Sequence, residues 1–397
     1  MEVVTHSRAD GLLRKGLRLF AMLLLTGLAA SGPLLYVALP HAKTTASLPP
    51  PPFRRASFLE GSWMRSLEVH LRESSPLTGF VRGTMAELLW HAGLLDSKKV
   101  HFGRDGWLFL AYGLQVDLAG WNGPADDIGA KRRRFLRELR QRADEAKLAL
   151  LVAVVPDKDR IYPEKCWPDG RLPESKAGLY ALIQAELKDA GLASVDGEAA
   201  LASFKAARPQ ELLFHPADTH WTLTGARVFA EAIRDRIQAL GWDDLLGARV
   251  GYRRERIDAP FPTDLVRMLG FRDGGSLEQS LQGRHLGDVP VMPDGSQVQR
   301  EQPGASVALC GTSYSANGLQ VQLPLVLDRA IDLRGVIEGR GPFPGLEATA
   351  TAMRTKQVPA RLVVWEWPER SVLEGGIFPS GERWGWLHAP ETAPSFQ

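Results

Sequence analysis

The pattern of hydrophobic and polar positions predicts a layered α/β domain over much of this chain. The stretch LALLVAVVP at 148–156 is continuously apolar, as is typical of a strand covered on both faces of a parallel sheet. SVALCGTS at 306–313 and RLVVWEW at 361–367 predict two further buried strands, and helical patterns occur over 177–190 and after THWTLTGA at 219–226. Strands that alternate with helices in this way predict a three-layer α/β/α domain with a mainly parallel sheet.

Three other stretches complete the predicted domain. Trp107–Leu110 predicts a buried strand at the domain entry, just after a turn bracketed by Gly103 and Gly106. KRRRFLRELRQRADEAK at 131–147 predicts a helix, and its mixture of basic and acidic residues indicates a solvated face. Residues 250–300 show no clear periodicity and hold many glycines, prolines and arginines. We therefore expect a long loop region there, near the candidate catalytic residues described below.

An apolar segment without charges, Leu19–Pro40, lies near the N-terminus. It has the length that a helix needs to cross a bilayer, about 20 residues. Four basic residues precede it, and the positive-inside rule then predicts a transmembrane anchor with residues 1–18 in the cytoplasm. The alternative is a signal peptide cleaved after the small residues at 29–31, although the apolar stretch continues past them. Both interpretations export the rest of the chain.

The exported part is predicted to have three segments. Residues 41–56 form a linker in which the prolines at 49–52 make a stiff, extended spacer. Residues 57–98 show apolar positions at amphipathic helical spacing, which predicts a helical arm packed on the main domain. Residues 99–397 form the main domain.

Composition excludes several classes of protein. With 44% hydrophobic and 24% charged residues, most of the chain is expected to be globular. The net charge of +2 gives no reason to expect a nucleic-acid partner. The two cysteines, Cys166 and Cys310, are too few for a structural zinc site or a disulfide-rich scaffold. They could pair in an oxidising compartment, but Cys310 lies in a strand pattern, which favours a free buried thiol.

The first candidate for chemistry is LCGTSYSANG at 309–318, a run of hydroxyl residues after a predicted strand. Ser313 would follow the carboxyl end of a parallel strand, where open α/β sheets bind ligands. A helix starting there would direct backbone N–H groups at a developing oxyanion. Ser315 replaces the final glycine of the G-x-S-x-G motif, which argues against an ordinary α/β-hydrolase. The alternative is that these residues only form a turn or a helix cap.

A base and a carboxylate for such a serine occur together in HPADTHWTLTGA at 215–226. Asp218 and His220 lie two residues apart before an apparent helix, so one loop can supply a general base and its orienting carboxylate. Asp218 could instead cap the helix that starts near Thr222 or Thr224. A metal site of His215, Asp218 and His220 is disfavoured because the spacing is not H-E-x-x-H and no further ligand suggests itself. No metal is predicted.

Five motifs give the chain a family resemblance. They are FGRDGWLFL, VPDKDRIYPE, DTHWTLTGA, GTSYS and VVWEWPERS, and they follow in this order from about residue 100 to residue 371. The chain resembles the alginate O-acetyltransferase family of AlgJ- and AlgX-like proteins, whose domain is similar to an SGNH hydrolase with its motif order permuted. Asp218 and His220 precede Ser313, as in the permuted family. Little sequence follows VVWEWPERS, so we expect an AlgJ-like chain without the carbohydrate-binding module of AlgX.

The resemblance implies a function and a set of roles. Ser313 would be the nucleophile, His220 the general base and acid, and Asp218 its orienting partner, with no cofactor. The reaction would move acetyl groups onto hydroxyls of an exopolysaccharide, alginate or similar, in the periplasm. A membrane-bound O-acyltransferase in the inner membrane would supply the acetyl groups. The alternatives are a carbohydrate acetyl esterase with the same residues and a non-catalytic scaffold of a polysaccharide secretion complex.

Four residues are predicted to contact substrate: Lys158, Trp221, Tyr314 and Asn317. The two aromatic rings would stack on sugars, although packing beneath the site is the favoured interpretation of Trp221. Asn317 would add a donor to the oxyanion site, and Lys158 would bind an acidic polymer or lie in a solvated loop. Glu366 and Arg370 are expected to form a structural pair near the last strand.

Overall fold

The structure, a computed structural model, describes residues 76–115, 128–261, 263–271, 275–336 and 341–373. The strands in these ranges are β1 (Val100–Phe102), β2 (Leu108–Leu110), β3 (Ala149–Val155), β4 (Ala193–Asp196), β5 (Arg253–Phe261), β6 (Gly283–Val291), β7 (Val307–Cys310), β8 (Ile331–Leu333) and β9 (Leu362–Pro368). The α-helices are α1 (Pro76–His91), α2 (Ala111–Leu114), α3 (Ile128–Glu145), α4 (Lys158–Ile161), α5 (Pro163–Cys166), α6 (Glu174–Ala177), α7 (Leu179–Asp189), α8 (Gly197–Ala207), α9 (Leu223–Ala239), α10 (Asp264–Met268), α11 (Ser276–Leu281), α12 (Gln320–Leu327) and α13 (Phe343–Arg354). Short 3-10 turns occupy Asp243–Leu245 and Glu369–Leu373, and a π-type turn occupies Ser315–Leu319.

The chain divides into two compact units, residues 1–96 with 270–279 and residues 97–269 with 280–397. In its described part the first unit contains α1, where the ring of Trp90 meets Phe271 edge to face at 5.6 Å. The functional residues discussed below all belong to the second unit. The predicted division into an arm at 57–98 and a domain at 99–397 stays a prediction.

A five-stranded parallel sheet forms the centre of the second unit, in the order β4-β3-β9-β7-β8. The central pair, β3 and β9, runs in register from Ala149 opposite Leu362 to Val155 opposite Pro368. The three strands predicted at 148–156, 306–313 and 361–367 are therefore confirmed as β3, β7 and β9. Both faces of β3 are covered, which explains why its sequence is a continuous apolar run rich in leucine and valine.

Helices pack on both faces of this sheet. Alternate residues of β3, namely Leu151, Ala153 and Val155, share one buried cluster with apolar residues of α9 and α12. The intervening residues of β3 face a second cluster built on α3, α7 and α13. Each fully buried leucine or valine contributes about 1.5–3 kcal/mol to folding, so this sandwich supplies the rigid base beneath the loops that follow β3, β7 and β9.

The prediction of a long loop at 250–300 is wrong. β5 and β6 form an antiparallel hairpin that pairs nine residues of each strand, from Arg253 opposite Val291 to Phe261 opposite Gly283. α10 and α11 lie in the connection between the two strands. β5 is mostly exposed along its length and is buried only at Phe261. β6 is half-buried along most of its length but holds three glycine or proline residues and three charged or histidine residues. Neither strand therefore shows a regular alternation of apolar and polar residues, which explains why the sequence resembles a loop.

The predicted anchor at 19–40 and linker at 41–56 lie outside the described residues. Across the ranges that the structure describes, none of the helices combines the length and apolar character needed to cross a bilayer.

Cys166 and Cys310 are both free thiols in the interior of the second unit. Cys310 is the last residue of β7, in agreement with the prediction of a buried thiol in a strand. Burial raises the pKa of Cys166 to about 12, so this group stays protonated at neutral pH.

Candidate active site

The site begins where β7 ends and the chain turns sharply beside β9. Gly311 follows the strand, and a Cβ atom at this position would lie 2.3 Å from the carbonyl oxygen and 2.6 Å from Oε2 of Glu366. The main-chain carbonyl and the carboxyl group of Glu366 together occupy the space that a side chain would need. Only glycine lets the nucleophile loop, residues 311–315, pass this close to β9.

Within the nucleophile loop, two of the four hydroxyls bind the carboxyl group beneath it. Thr312 Oγ1 donates to Glu366 Oε1 at 2.9 Å, and Ser315 Oγ donates to Glu366 Oε2 at 2.8 Å. The backbone N–H groups of Thr312 and Ser315 also donate to Glu366 Oε2, at 2.9 and 3.1 Å. These hydroxyls face the interior and are therefore structural.

The other two hydroxyls of the loop face the loop that carries His220. Tyr314 donates its phenolic hydroxyl to the carbonyl of Thr219. Ser313 Oγ lies 2.7 Å from His220 Nε2. Ser313 is half-buried, so among the four hydroxyls it is the one that combines contact with an imidazole and access to solvent.

His220 connects Ser313 to a buried carboxylate. His220 Nδ1 lies 2.6 Å from Asp218 Oδ1, which also accepts the backbone N–H of His220 at 2.8 Å. Asp264 donates its backbone N–H to Asp218 Oδ2 at 2.6 Å. Burial alone would raise the pKa of Asp218, but the hydrogen bond and charge of His220 hold it well below its usual range. An ionised Asp218 requires the proton of neutral His220 on Nδ1, which leaves Nε2 free to accept from Ser313.

Short-range hydrogen bonds shape the loop between Leu213 and Thr222. Thr222 N–H donates to Leu213 O at 2.9 Å, and His215 N–H donates to His220 O at 3.1 Å. Thr222 caps α9, because its Oγ1 accepts the N–H of Gly225 at 3.1 Å. The alternative that Asp218 caps this helix is therefore wrong, and its carboxylate is available to His220.

Lys158 does not reach toward a substrate. Its side chain is buried, and its ammonium lies about 5 Å from two aromatic rings, at 5.0 Å from Trp107 and 4.9 Å from Phe109. It donates at 2.7–3.0 Å to four main-chain carbonyls, those of Leu108, His215, Pro216 and Asp218. Burial lowers the pKa of Lys158 to about 7. The residue instead ties the loop that carries Asp218 to β2, which corrects its predicted role in substrate binding.

The two aromatic residues predicted to stack on sugars are also buried. Trp221 is fully buried and donates its indole N–H to the carbonyl of Asn317 at 3.0 Å. The ring of Tyr314 is 1% exposed and lies 5.0 Å from the ring of His220. Neither ring offers a free face to a sugar, and Trp221 packs beneath the site, as its favoured interpretation expected.

Asn317 is the predicted substrate-contacting residue that lies at the opening of the site. It is half-buried, and its Nδ2 lies 3.3 Å from His220 Nε2. Gly318 follows with a φ of +138°, and a Cβ atom there would lie 2.7 Å from Trp221 Nε1. The close approach of this turn to Trp221 holds Asn317 beside the imidazole.

Glu366 and Arg370 do not form the expected pair. Glu366 binds the nucleophile loop, whereas Arg370 donates to Asp157 Oδ1 at 2.8 Å. The prediction of a structural role fits both residues, but their partners are different.

Sequence reasoning missed Asp264, which comes from the connection between β5 and β6. Its Oδ1 accepts the N–H of Thr219 at 2.8 Å, and its Oδ2 accepts the hydroxyl of Thr219. Burial and the neighbouring Asp218 raise the pKa of Asp264. No signal in the sequence around 264 distinguishes this aspartate from the other acidic residues of the segment.

Asp218, His220 and Asp264 lie close enough together to share a metal ion. Their ligand atoms are engaged with one another and with Thr219, however, because Asp218 holds the Nδ1 proton of His220 and Asp264 holds the Thr219 hydroxyl. To bind a metal ion, His220 Nδ1 would have to be unprotonated. The donor set therefore fits a hydrogen-bonded acid–base chain better than a metal site.

Comparisons with known proteins show the family of the chain. Residues 100–369 match the family model described as SGNH hydrolase-like domain, acetyltransferase AlgX. "Probable alginate O-acetylase AlgJ" of Pseudomonas aeruginosa is 29% identical over 335 residues, covering 79% of this chain and 80% of that protein. The protein of the same name from Pseudomonas syringae pv. tomato is 27% identical over 320 residues, covering 79% of each.

A solved structure gives the same picture. The "O-Acetyltransferase Domain of Pseudomonas putida AlgJ" superposes with a TM-score of 0.53 at 26% sequence identity and covers 69% of this chain and 91% of that chain. The expected SGNH-hydrolase-like α/β fold with a mainly parallel sheet is therefore confirmed.

Proposed function

The chain belongs to the family of acetyltransferases with the SGNH hydrolase-like domain of AlgX, and we propose that it is a polysaccharide O-acetyltransferase working through an acetylated Ser313. One observation carries the proposal: Asp218, His220 and Ser313 form a continuous hydrogen-bonded chain, with links of 2.6 and 2.7 Å. The relatives named as alginate O-acetylases support alginate or a similar exopolysaccharide as the acceptor.

In the first half-reaction, His220 Nε2 takes the proton of Ser313 Oγ while this oxygen attacks the carbonyl carbon of a bound acetyl ester. The resulting tetrahedral intermediate collapses when the C–O bond to the leaving group breaks. His220 then gives its proton to the departing oxygen, which leaves an acetyl ester on Ser313. Asp218 stays ionised and stabilises the imidazolium that exists between the two proton transfers.

The oxyanion of the intermediate would find its donors near Ser313. Thr312 and Ser315 donate their backbone N–H groups to Glu366, and Tyr314 donates its own to Thr312 Oγ1. The backbone donor for the oxyanion would therefore be the N–H of Ser313, at the start of the helical turn after β7. The side-chain amide of Asn317 lies on the same side, beside His220 Nε2. Each donor of this kind commonly contributes about 3 kcal/mol to stabilisation of the transition state.

In the second half-reaction, a sugar hydroxyl takes the place of the leaving group. His220 removes its proton, the oxygen attacks the acetyl carbonyl, and Ser313 Oγ is released and reprotonated. An esterase with the same residues would use water at this step. The two activities therefore differ only in which hydroxyl reaches the acetyl-enzyme first, and the AlgX-type family favours the sugar.

The direct test is intact-mass spectrometry of the purified full-length protein incubated with an activated acetyl ester and a mannuronate oligosaccharide. We expect one acetyl group on the protein, mapped to Ser313, and transfer to the oligosaccharide. Ser313→Ala should abolish both. Ser194→Ala is the matched control, because this serine lies on β4 and binds Gln184. Acetylated sugar formed at the wild-type rate by Ser313→Ala would refute the mechanism. Acetyl release into water that added oligosaccharide does not redirect would identify an esterase.

The location and partners of the chain form part of the same proposal. Residues 19–40 would anchor the chain in the inner membrane, 1–18 would be cytoplasmic, and the linker at 41–56 would hold the catalytic domain in the periplasm. A membrane-bound O-acyltransferase would deliver acetyl groups to Ser313 from the membrane side. Reporter fusions after residue 18 and after residue 56 should report opposite sides of the membrane, and the same side for both would contradict this topology.

A further inference from the structure

Glu366 is a buried carboxyl that the acetyl-transfer steps do not use. It lies near the carboxyl end of β9 and is fully buried. Trp365, the preceding residue, pairs with Cys310 of β7, which places the carboxyl group directly beneath the turn that starts at Gly311. It is surrounded by the nucleophile loop on the one side and the sheet on the other.

We propose that Glu366 is the positioning residue that holds Ser313 at reaction distance from His220. The inference rests on the proposed function and adds a residue to it. The residues on either side of Ser313 supply four donor groups to this carboxyl: two backbone N–H groups and two hydroxyls, from Thr312 and Ser315, at 2.8–3.1 Å. Glu366 binds the loop on both sides of Ser313. The side chain of Ser313 therefore points away from Glu366, toward His220.

The contact geometry also explains two features of the G-T-S-Y-S motif. Glycine is required at 311 because the main-chain carbonyl of Glu366, and behind it the Glu366 carboxyl, fill the space of a side chain. Thr312 and Ser315 each have a hydroxyl because each binds this carboxyl. The motif and Glu366 therefore form one unit, although they lie more than 50 residues apart in sequence.

The two oxygens of Glu366 have different surroundings. Oε2 accepts both backbone N–H groups and the hydroxyls of Ser315 and Thr312, whereas Oε1 contacts only Thr312 Oγ1. Among the residues that the structure describes, no lysine or arginine forms an ion pair with this carboxyl. An amide of the same shape can satisfy these contacts, with its oxygen in the place of Oε2 and its NH₂ group donating to Thr312 Oγ1. The position requires the shape and hydrogen bonds of the side chain rather than its charge.

The test compares Glu366→Gln with Glu366→Ala in the full-length protein. We measure the single-turnover rate of acetyl-Ser313 formation against the concentration of the activated acetyl ester. Glu366→Ala frees both sides of Ser313, and a misplacement of about 1 Å at a reacting centre costs about 100-fold in rate. We expect about that loss in the maximal rate at an unchanged half-saturating concentration, and a rate within about threefold of wild type for Glu366→Gln.

A matched control separates positioning from general stability. Glu186 is also a buried glutamate, but it pairs with Arg132 on a different part of the second unit. Glu186→Ala should lower the melting temperature and leave the maximal rate unchanged. If Glu366→Ala does not fold, the double variant Thr312→Val with Ser315→Ala keeps the carboxyl and both backbone contacts, and we expect about a tenfold loss.

Two outcomes would overturn the inference. One is a folded Glu366→Ala, or the double variant in its place, that keeps the wild-type maximal rate. The other is a Glu366→Gln as slow as Glu366→Ala, which would show that the charge is needed. The reaction of Ser313 with a sulfonyl fluoride provides a second readout of its position. It needs no acetyl donor, so slow labelling in Glu366→Ala would support the positioning role even if acetyl transfer itself were not found.

Discussion

Replacement of Asp218 by asparagine tests the acid–base chain directly. The change keeps the shape of the side chain and removes its charge. Asp218 accepts three hydrogen bonds, two from His220 and one from the backbone N–H of Asp264, at 2.6–2.8 Å. An amide oxygen occupies only one of the two carboxylate positions. Its NH₂ group must therefore face either the N–H of Asp264 or the donors of His220.

The magnitude follows from the charge that develops on His220. Opposite unit charges about 4 Å apart attract by about 4 kcal/mol at the effective dielectric constant near a protein surface. The amide keeps a hydrogen bond worth about 1 kcal/mol. A loss of about 3 kcal/mol in transition-state stabilisation corresponds to a decrease of about 100-fold to 1,000-fold in rate. An amide whose NH₂ group faces Nδ1 would also select the wrong tautomer of His220 and increase the loss.

The assay is the single-turnover rate of acetyl-Ser313 formation at neutral pH in the full-length protein. Asp332→Asn is the matched control, because Asp332 is buried on β8 and binds Arg334 and the N–H of Gln302. This variant should keep the wild-type rate. A rate of Asp218→Asn within about tenfold of wild type, or an equal loss in Asp332→Asn, would refute the reasoning.

Two further predictions concern stability. Since His220 holds the pKa of Asp218 below its usual range, the carboxylate contributes stability that is present above its unfolded-state pKa of about 4 and lost as pH falls through its folded-state pKa. The difference in unfolding free energy between wild type and Asp218→Asn should thus be present at pH 5 and shrink below pH 4 in urea titrations; a difference that does not shrink between pH 4 and pH 2 would contradict this. Lys158→Met would remove a donor from four carbonyls. Those of Pro216 and His215 keep a backbone N–H, from Leu108 and Asp218, and each of the other two costs about 1–3 kcal/mol where water does not reach it. Because burial of the ammonium itself costs free energy, we expect a net loss of about 3 kcal/mol for Lys158→Met. The loss should be much smaller for Lys165→Met, whose partner Asp105 is exposed. Equal losses in the two lysine variants would show that the carbonyl cage is not stabilising.

Parts of the fold were predictable because burial leaves a mark on the sequence. β3, β7 and β9 are covered on both faces, and their apolar runs were sufficient to locate them. α9 was predictable because it has an amphipathic pattern and a threonine at its start. The hairpin of β5 and β6 was not predictable, since β5 is mostly exposed, β6 is half-buried and neither carries an apolar run. Its existence depends on pairing between two segments, which neither segment specifies alone.

The candidate site was likewise predictable only in part. Asp218 and His220 lie two residues apart in sequence, so the stretch HPADTHWTLTGA was enough to suggest them together. Ser313 was singled out by its place after a strand, and the structure brings it to His220. Lys158 and Tyr314 were misplaced at the substrate because residue type alone does not show whether a side chain faces solvent or the core.

The sequence by itself determined the α/β layering, the family and the set of residues available for chemistry, because periodicity and motif order are properties of the linear chain. The tertiary structure decided which of four neighbouring hydroxyls faces the imidazole. It also brought Glu366 beneath the nucleophile loop and Asp264 beside His220. These assignments depend on contacts across more than 40 residues of sequence, and the direction of a side chain is set by the elements that pack around it.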